Sequence, residues 1–502
     1  MPTIYYKTFP LSRSNASPPP RKNSVPITPP FRSSNDKRNL VMEPLTLGRP
    51  AKLHKPNEGA TDEEMPWACS SSVRASQTGK KNSIQHIIQP IIDDIKPGSQ
   101  RSDNKSPISL ASADLSFTHV PPCAKAMESI VRAVIRKPHT TCYTHACGSP
   151  EARRAIASHH SFPEHQLCPE HVIVTNGCSG ALELSLASLL DPGTSLLVPQ
   201  PGLPLYEEIA ESLGANVIRY RLDPNQRWEC DMDHLEDIMT CKKDASSNLD
   251  GSIRAIVVTN PSTHGSVFSE KHLEQILDFA LRHRLPIISD EVYGDLTFGS
   301  NRFHPMAQVA AKRGRRVPII TTSGLSKQFL VPGWRIGWIA FQDNHCGSLR
   351  HVEEGAHRLA TLQHGVSHLQ QSAISTLLSP STTPELASWK ENFRALLERQ
   401  ATLLCSGLTR DCHCLDIRSP PQGSMYAIVH LDLDSLDETI QSDMDFSHNL
   451  VREDNVFVLP GSSFGVPGTF RVAYSAHETT LETASQRIAD FCRRHKKTRE
   501  SI

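Results

Sequence analysis

From about residue 125 onward, short β-branched runs alternate with stretches whose apolar positions recur every three or four residues. That alternation predicts strands interleaved with helices, the pattern of a parallel α/β sheet. Val172-Ile173-Val174-Thr175 reads as a short buried strand. It turns through Asn176-Gly177-Cys178-Ser179-Gly180 into a helix with Leu182, Leu186 and Leu189 on one face. Residues 195–198 predict a strand, 205–213 a helix and 255–258 another strand. Over 271–282 the spacing predicts an amphipathic helix facing inward through Leu273, Ile276, Leu277, Ala280 and Leu281. It runs into the strand Pro286-Ile287-Ile288-Ser289, which ends at Asp290, and residues 317–320 predict a strand leading to Lys327. No internal repeat is visible.

Residues 1–80 break this pattern. They are rich in Ser and Pro, show little apolar periodicity, and read as a disordered extension. Residues 1–42 carry seven Lys or Arg and one acid, Asp36, as an organelle transit peptide does. Eight prolines in the first thirty residues work against the amphipathic helix such a peptide forms, so the tail is the preferred reading. There is no apolar leader for secretion, and the Asn15-Ala16-Ser17 sequon carries little weight without one.

Composition narrows the classes further. Over 502 residues Lys plus Arg and Asp plus Glu each total 53, a balance that gives no electrostatic footprint for nucleic acid or a membrane surface. No apolar stretch approaches the roughly 18 residues that span a bilayer. The 13 cysteines are odd in number, scattered and without a CxxC pair; Cys412-His413-Cys414 has no second pair at zinc-finger distance. They read as reduced thiols of a cytoplasmic protein, with organelle targeting by the extension as the alternative.

Ligands of such sheets bind beyond the carboxyl ends of the strands. The pattern places Ser179, Asn260, Asp290, Tyr293 and Lys327 there, on four different strand ends that can converge in space. A lysine just past a buried strand is partly desolvated and becomes nucleophilic toward carbonyls. Beyond it, Pro332-Gly333-Trp334-Arg335-Ile336-Gly337-Trp338 sets Arg335 in a short rigid stretch suited to a phosphate. Asp290, at a buried strand end, needs a cation or a donor. A pyridinium N–H satisfies it with Tyr293 nearby, and capping a following helix is the plain alternative. Asn176 to Gly180 opens a helix, whose free N–H groups and dipole favour an anion. Gly461-Ser462-Ser463-Phe464-Gly465 fits the GxSxG pattern of hydrolases, but Pro467 and Gly468 exclude the helix that a nucleophile elbow requires.

These strings resemble the class I/II aminotransferases, fold-type I pyridoxal-phosphate enzymes, and among them the tyrosine aminotransferases. The resemblance covers roughly residues 85–495 and rests on Ser-Asp-Glu-Val-Tyr-Gly-Asp (289–295) and on Lys327 with Val-Pro-Gly-Trp-Arg-Ile-Gly-Trp (331–338). Leu197 to Gly202, Gly423-Ser424-Met425-Tyr426, Val458-Leu459-Pro460-Gly461 and Phe470-Arg471-Val472 support it. It implies an α/β fold: a large domain (126–365) with a mostly parallel sheet, a smaller α+β domain (366–497), and an N-terminal arm (81–125) that joins the small one. It further implies pyridoxal 5′-phosphate bound to Lys327 as a Schiff base, with Asp290 on the pyridine nitrogen and Tyr293 on the phenolic oxygen. Gly177, Cys178, Ser179 and Arg335 hold the phosphate, joined by Tyr143 from the neighbouring subunit of a homodimer. Arg471 binds the α-carboxylate of an amino acid or 2-oxo acid, a bidentate role that lysine fills poorly.

Three departures stand out. The family's Asn-Pro-Ser-Asn-Pro-x-Gly is Asn260-Pro261-Ser262-Thr263-His264-Gly265 here, one residue shorter and lacking the second asparagine, which touches the phenolic oxygen. Thr263 and His264 are the available substitutes. Leu203 stands where an aromatic usually stacks on the cofactor ring, and Ala113-Asp114-Leu115 replaces a Gly-Asp-Pro substrate loop. They keep two alternatives open: a carbon–sulfur lyase on the same scaffold, and a catalytically silent homologue.

Overall fold

A computed structural model describes Arg74 and residues 105–111, 123–136, 138–241, 252–343, 347–379, 383–410 and 412–497. Most of the expected 1–80 extension, and Ala113-Asp114-Leu115, lie outside the described residues.

The centre is an eight-stranded sheet built from β1 (Val172–Asn176), β2 (Ser195–Gln200), β3 (Asn216–Asp223), β4 (Glu229–Cys230), β5 (Ile253–Thr259), β6 (Ile287–Asp290), β7 (Ile319–Gly324) and β8 (Ile336–Gln342). The spatial order is β1-β8-β7-β6-β5-β2-β3-β4. Strands β7, β6, β5, β2 and β3 pair in parallel, while β8 runs antiparallel to both β1 and β7. The inner strands β2, β5 and β6 are largely apolar because both faces are covered, whereas β3, near the sheet edge, exposes Arg219 and Arg221. On one side Leu197, Ile256, Val258, Ile287 and Ile319 share a core; on the other Leu196, Val198, Ala255, Val257, Ile288 and Ile320 share a second.

Ahead of the sheet lies α1 (Ala124–Arg136). The crossovers include α2 (Gly177–Ala187), α3 (Leu205–Ser212) and α4 (Glu270–His283), and the one-turn α5 (Leu325–Gln328) follows β7. Helix α4 opens with Ser269 as N-cap, its side chain accepting from the His272 N–H. Its buried stripe is His272, Leu273, Ile276, Leu277, Phe279 and Ala280. Leu281, expected on that face, is 43% exposed. At 100° per residue it falls beyond Leu277, the near edge of a stripe centred between Ile276 and Ala280. Leu189 lies past the end of α2 yet stays in the same core as Leu182 and Leu186.

A second sheet is formed by β9 (Leu415–Asp416), β10 (Tyr426–Leu431), β11 (Leu459–Pro460) and β12 (Thr469–Ala473), antiparallel in the order β9-β10-β12-β11. Helices α6 (Pro384–Arg410) and α8 (Glu478–Arg494) bury Leu397, Leu404, Leu481 and Ile488 in a core shared with Val429, Phe470 and Val472. Between β10 and β11 runs α7 (Asp443–Asp454). The GxSxG stretch is a single 3-10 turn, Gly461–Phe464, ended by Gly465 in the left-handed region, and Ser463 Oγ donates to Pro460 O at 2.7 Å. No nucleophile elbow forms. Every described cysteine is a free thiol, and no described helix is long and apolar enough to cross a membrane.

Candidate active site

Strands β5, β6 and β7 all end at one edge of the large sheet, with Thr259 opposite Asp290 and Asp290 opposite Thr322 in register. Asp290 is buried there, and three donors surround its carboxylate. Tyr206 Oη donates to Oδ2 at 2.6 Å, the Val292 N–H to Oδ1 at 3.2 Å, and the Cys178 thiol to Oδ1 at 3.6 Å. Thr259 Oγ1 lies 2.8 Å from Tyr206 Oη and donates to it, since the tyrosine's single proton is committed to Asp290. Burial pushes the Asp290 carboxyl up, and the Tyr206, Val292 and Cys178 hydrogen bonds oppose that shift. Residues 292–295 form a turn, so Asp290 caps a turn and not a helix.

Tyr206 was not anticipated. It sits in the first turn of α3, fully buried, three residues beyond Leu203. The readable signal is a tyrosine among apolar positions that face the sheet, which must find a partner for its hydroxyl. Beside Asp290, Glu291 is also buried; its Oε1 accepts from Ser289 Oγ at 2.8 Å and the Met306 N–H at 3.0 Å. Burial pushes it up to about 7.

The antiparallel β8 makes the opposite wall. Its first residue follows Arg335, which adopts a left-handed φ of 54° and turns its guanidinium onto the start of α2. Nη2 donates to Asn176 O at 3.2 Å and Ser179 Oγ at 3.0 Å, and Nη1 to Pro332 O at 3.3 Å. Two glycines permit this approach. A Cβ on Gly177 would stand 2.4 Å from Arg335 Nη2, and one on Gly337 would stand 2.3 Å from the Gly177 carbonyl carbon. The Gly177 N–H donates to Arg335 O at 2.9 Å, so it is already used. The Cys178 side chain turns to Asp290 instead. What remains for an anion is the guanidinium, the Ser179 hydroxyl and the N–H groups of Cys178 and Ser179, which have no acceptor within the helix.

Lys327 lies on α5, five residues beyond Thr322 and half-buried. Tyr293 is buried, with its ring edge-on to Tyr426 at 6.3 Å, and burial holds its phenol protonated. On the small sheet Arg471 is buried in β12. Its guanidinium lies 4.2 Å from the Tyr426 ring, Nη2 reaches Ala111 O at 3.5 Å, and Nε has no partner. Tyr426 thus links Arg471 to Tyr293. Tyr143 stands apart: it is 91% exposed and edge-on to His364 at 6.5 Å.

The model of the family described as aminotransferase class I and II matches residues 105–488. A tyrosine aminotransferase of Dictyostelium discoideum is 34% identical over 440 residues, 86% of this chain and 98% of that protein. An S-alkyl-thiohydroximate lyase of Arabidopsis thaliana is 32% identical across 76% of this chain and 78% of that protein. The crystal structure of a tyrosine aminotransferase from Leishmania infantum superposes with a TM-score of 0.74 at 29% identity, covering 86% of this chain and all of that one. The family model and these relatives match over most of the length, and the chain belongs to the class I and II aminotransferases.

Proposed function

We propose that this aminotransferase depends on pyridoxal 5′-phosphate and moves the amino group of an aromatic, tyrosine-like amino acid onto a 2-oxo acid. One observation carries the reading: a buried carboxylate, Asp290, is fixed by Tyr206 and Cys178 on the strand next to the one that leads to Lys327. The cofactor, when bound, supplies the electron-withdrawing ring that makes a substrate Cα–H acidic. The donor set fits it. Arg335 with the start of α2 suits a phosphate, Asp290 suits a ring N–H, and the protonated phenol of Tyr293 suits a phenolic oxygen. Arg471, a buried cation whose Nε lacks a partner, suits a carboxylate.

Each residue then has a task. Asp290 is costly to ionise in a dry site, and pairing with an N–H removes that cost. Tyr206 keeps its carboxylate aimed. Lys327 Nζ, which has no hydrogen bond or ion pair among the described residues, serves as nucleophile and then carries the Cα proton. Arg471 holds the α-carboxylate of both the amino acid and the oxo acid, so one residue serves both halves of the exchange.

A homodimer completes the proposed site. Met127, Val131, Ile135, Tyr143 and Leu362 are large apolar or aromatic side chains left exposed, and the first three recur every four residues along one face of α1. Tyr143 from this surface would reach the partner's phosphate. Borohydride reduction followed by peptide mapping tests the core claim: the label belongs on Lys327, and a label on another lysine overturns it. The lyase relative and Leu203 support carbon–sulfur cleavage as the second reading. Scoring keto-acid and thiol release separately on aromatic amino acids and cysteine conjugates separates the two.

A further inference from the structure

The loop from β5 to α4 carries the shortened motif, and it is firmly held. The Ser262 N–H donates to Ser266 O at 2.9 Å, and the Ser266 N–H donates back to Ser262 Oγ at 3.0 Å. Gly265, at φ 93°, presses so closely on β10 that a Cβ there would stand 2.5 Å from Tyr426 O. The loop is therefore fixed to the strand that borders Arg471.

On it sits His264, 3% exposed, with neither ring nitrogen hydrogen-bonded. Its ring packs at 57° against Trp228, 5.4 Å away. Burial, and after it the neighbouring Arg471 cation, push the imidazole down to about 3, so it is a neutral ring with one donor and one acceptor. Arg471 Nε is likewise buried without a partner. Unsatisfied buried polar atoms are rare, and a phenyl ring would fill the same space beside Trp228 without the desolvation cost. An unmet imidazole beside a cation whose own Nε is unmet points to a missing acceptor shared between them.

We infer that His264 is a positioning residue for the substrate, donating from a ring nitrogen to the carboxylate that Arg471 binds. The inference rests on the carboxylate reading of Arg471 given above. It also gives the shortened loop a role: an imidazole donor enters where the family's asparagine is missing.

The test is calorimetric titration of the holoenzyme with 3-phenylpropionate, which carries the aromatic group and carboxylate but no amine to react. His264→Phe should weaken binding about tenfold, and His264→Asn, which restores an amide donor, should stay within about threefold of the parent. In the unaltered enzyme, the ring nitrogen signals of ¹⁵N-labelled His264 should move on titration, a readout that does not depend on the variants folding. Equal affinity of His264→Phe, with those signals unmoved, overturns the inference and leaves the ring as packing for Trp228. Undiminished affinity of Arg471→Ala overturns the carboxylate reading itself. Weakened Arg471→Ala beside unchanged His264→Phe overturns only the role of His264.

Discussion

The two ends of the site are built in opposite ways. Around Arg335 the donors are already held in place: the guanidinium has three acceptors, the Gly177 N–H is taken, and two glycines allow the close approach. Around Arg471 polar atoms are left waiting: its own Nε and both ring nitrogens of the neighbouring His264 have no partner. A preformed cradle suits a group that stays through every turnover. An end that keeps donors unmet suits a group that comes and goes, because the binding energy is released only on arrival.

That contrast can be broken most directly at Arg471. Arg471→Ala should weaken both the amino acid and the oxo acid by about a hundredfold or more, with cofactor retention barely changed, read by titration and cofactor absorbance. Loss of cofactor with unchanged substrate affinity would show that the roles of the two ends are exchanged. Arg335→Ala should do the reverse, raising the cofactor dissociation constant roughly ten- to a hundredfold while carboxylate binding at saturating cofactor stays put. Tyr206→Phe should cost about tenfold in cofactor affinity by removing one hydrogen bond from a buried carboxylate.

It should also shift the pH dependence. Asp290 is already raised by burial, so its contribution to the stability of the cofactor-free fold is present at low pH and lost as pH rises through the elevated value. Cofactor binding has the opposite dependence, because the ring N–H needs the ionised form, and affinity falls as pH drops through the same value. Without Tyr206 that fall should begin at higher pH; an unmoved profile would remove Tyr206 from the account. The smallest effect is at Leu203. Leu203→Phe should tighten the cofactor by about 0.5–1.5 kcal/mol if ring stacking is regained.

Much of this was legible along the chain. Strands β1, β5, β6 and β7 declare themselves as β-branched runs because both faces of the sheet are buried, and Asp290, Lys327 and Arg335 follow within a few residues of strand ends. What escaped depends on spatial order. Tyr206 meets Asp290 only because β2 lies beside β5 and not beside β1, which no local pattern encodes. The Cys178 thiol faces a carboxylate 112 residues away, and it reads from sequence as part of the anion loop. Leu281 failed for a geometric reason, lying beyond the edge of the stripe. The unmet state of His264 follows from a loop pinned to a different sheet.

The antiparallel β8 also sets a schedule for the ribosome. Strand β1 leaves the exit tunnel long before β8, its only neighbour among the described residues, and the bond from Arg335 to Asn176 O spans 159 residues of chain. At roughly 5–20 residues per second, β1 spends about ten to thirty seconds as an unpaired edge, a surface that invites association with other chains. Arg335 joins the anion cradle only when that gap closes. Nascent chains arrested before residue 336 should lack the completed cradle, and stable cofactor capture marks the moment the sheet is sealed.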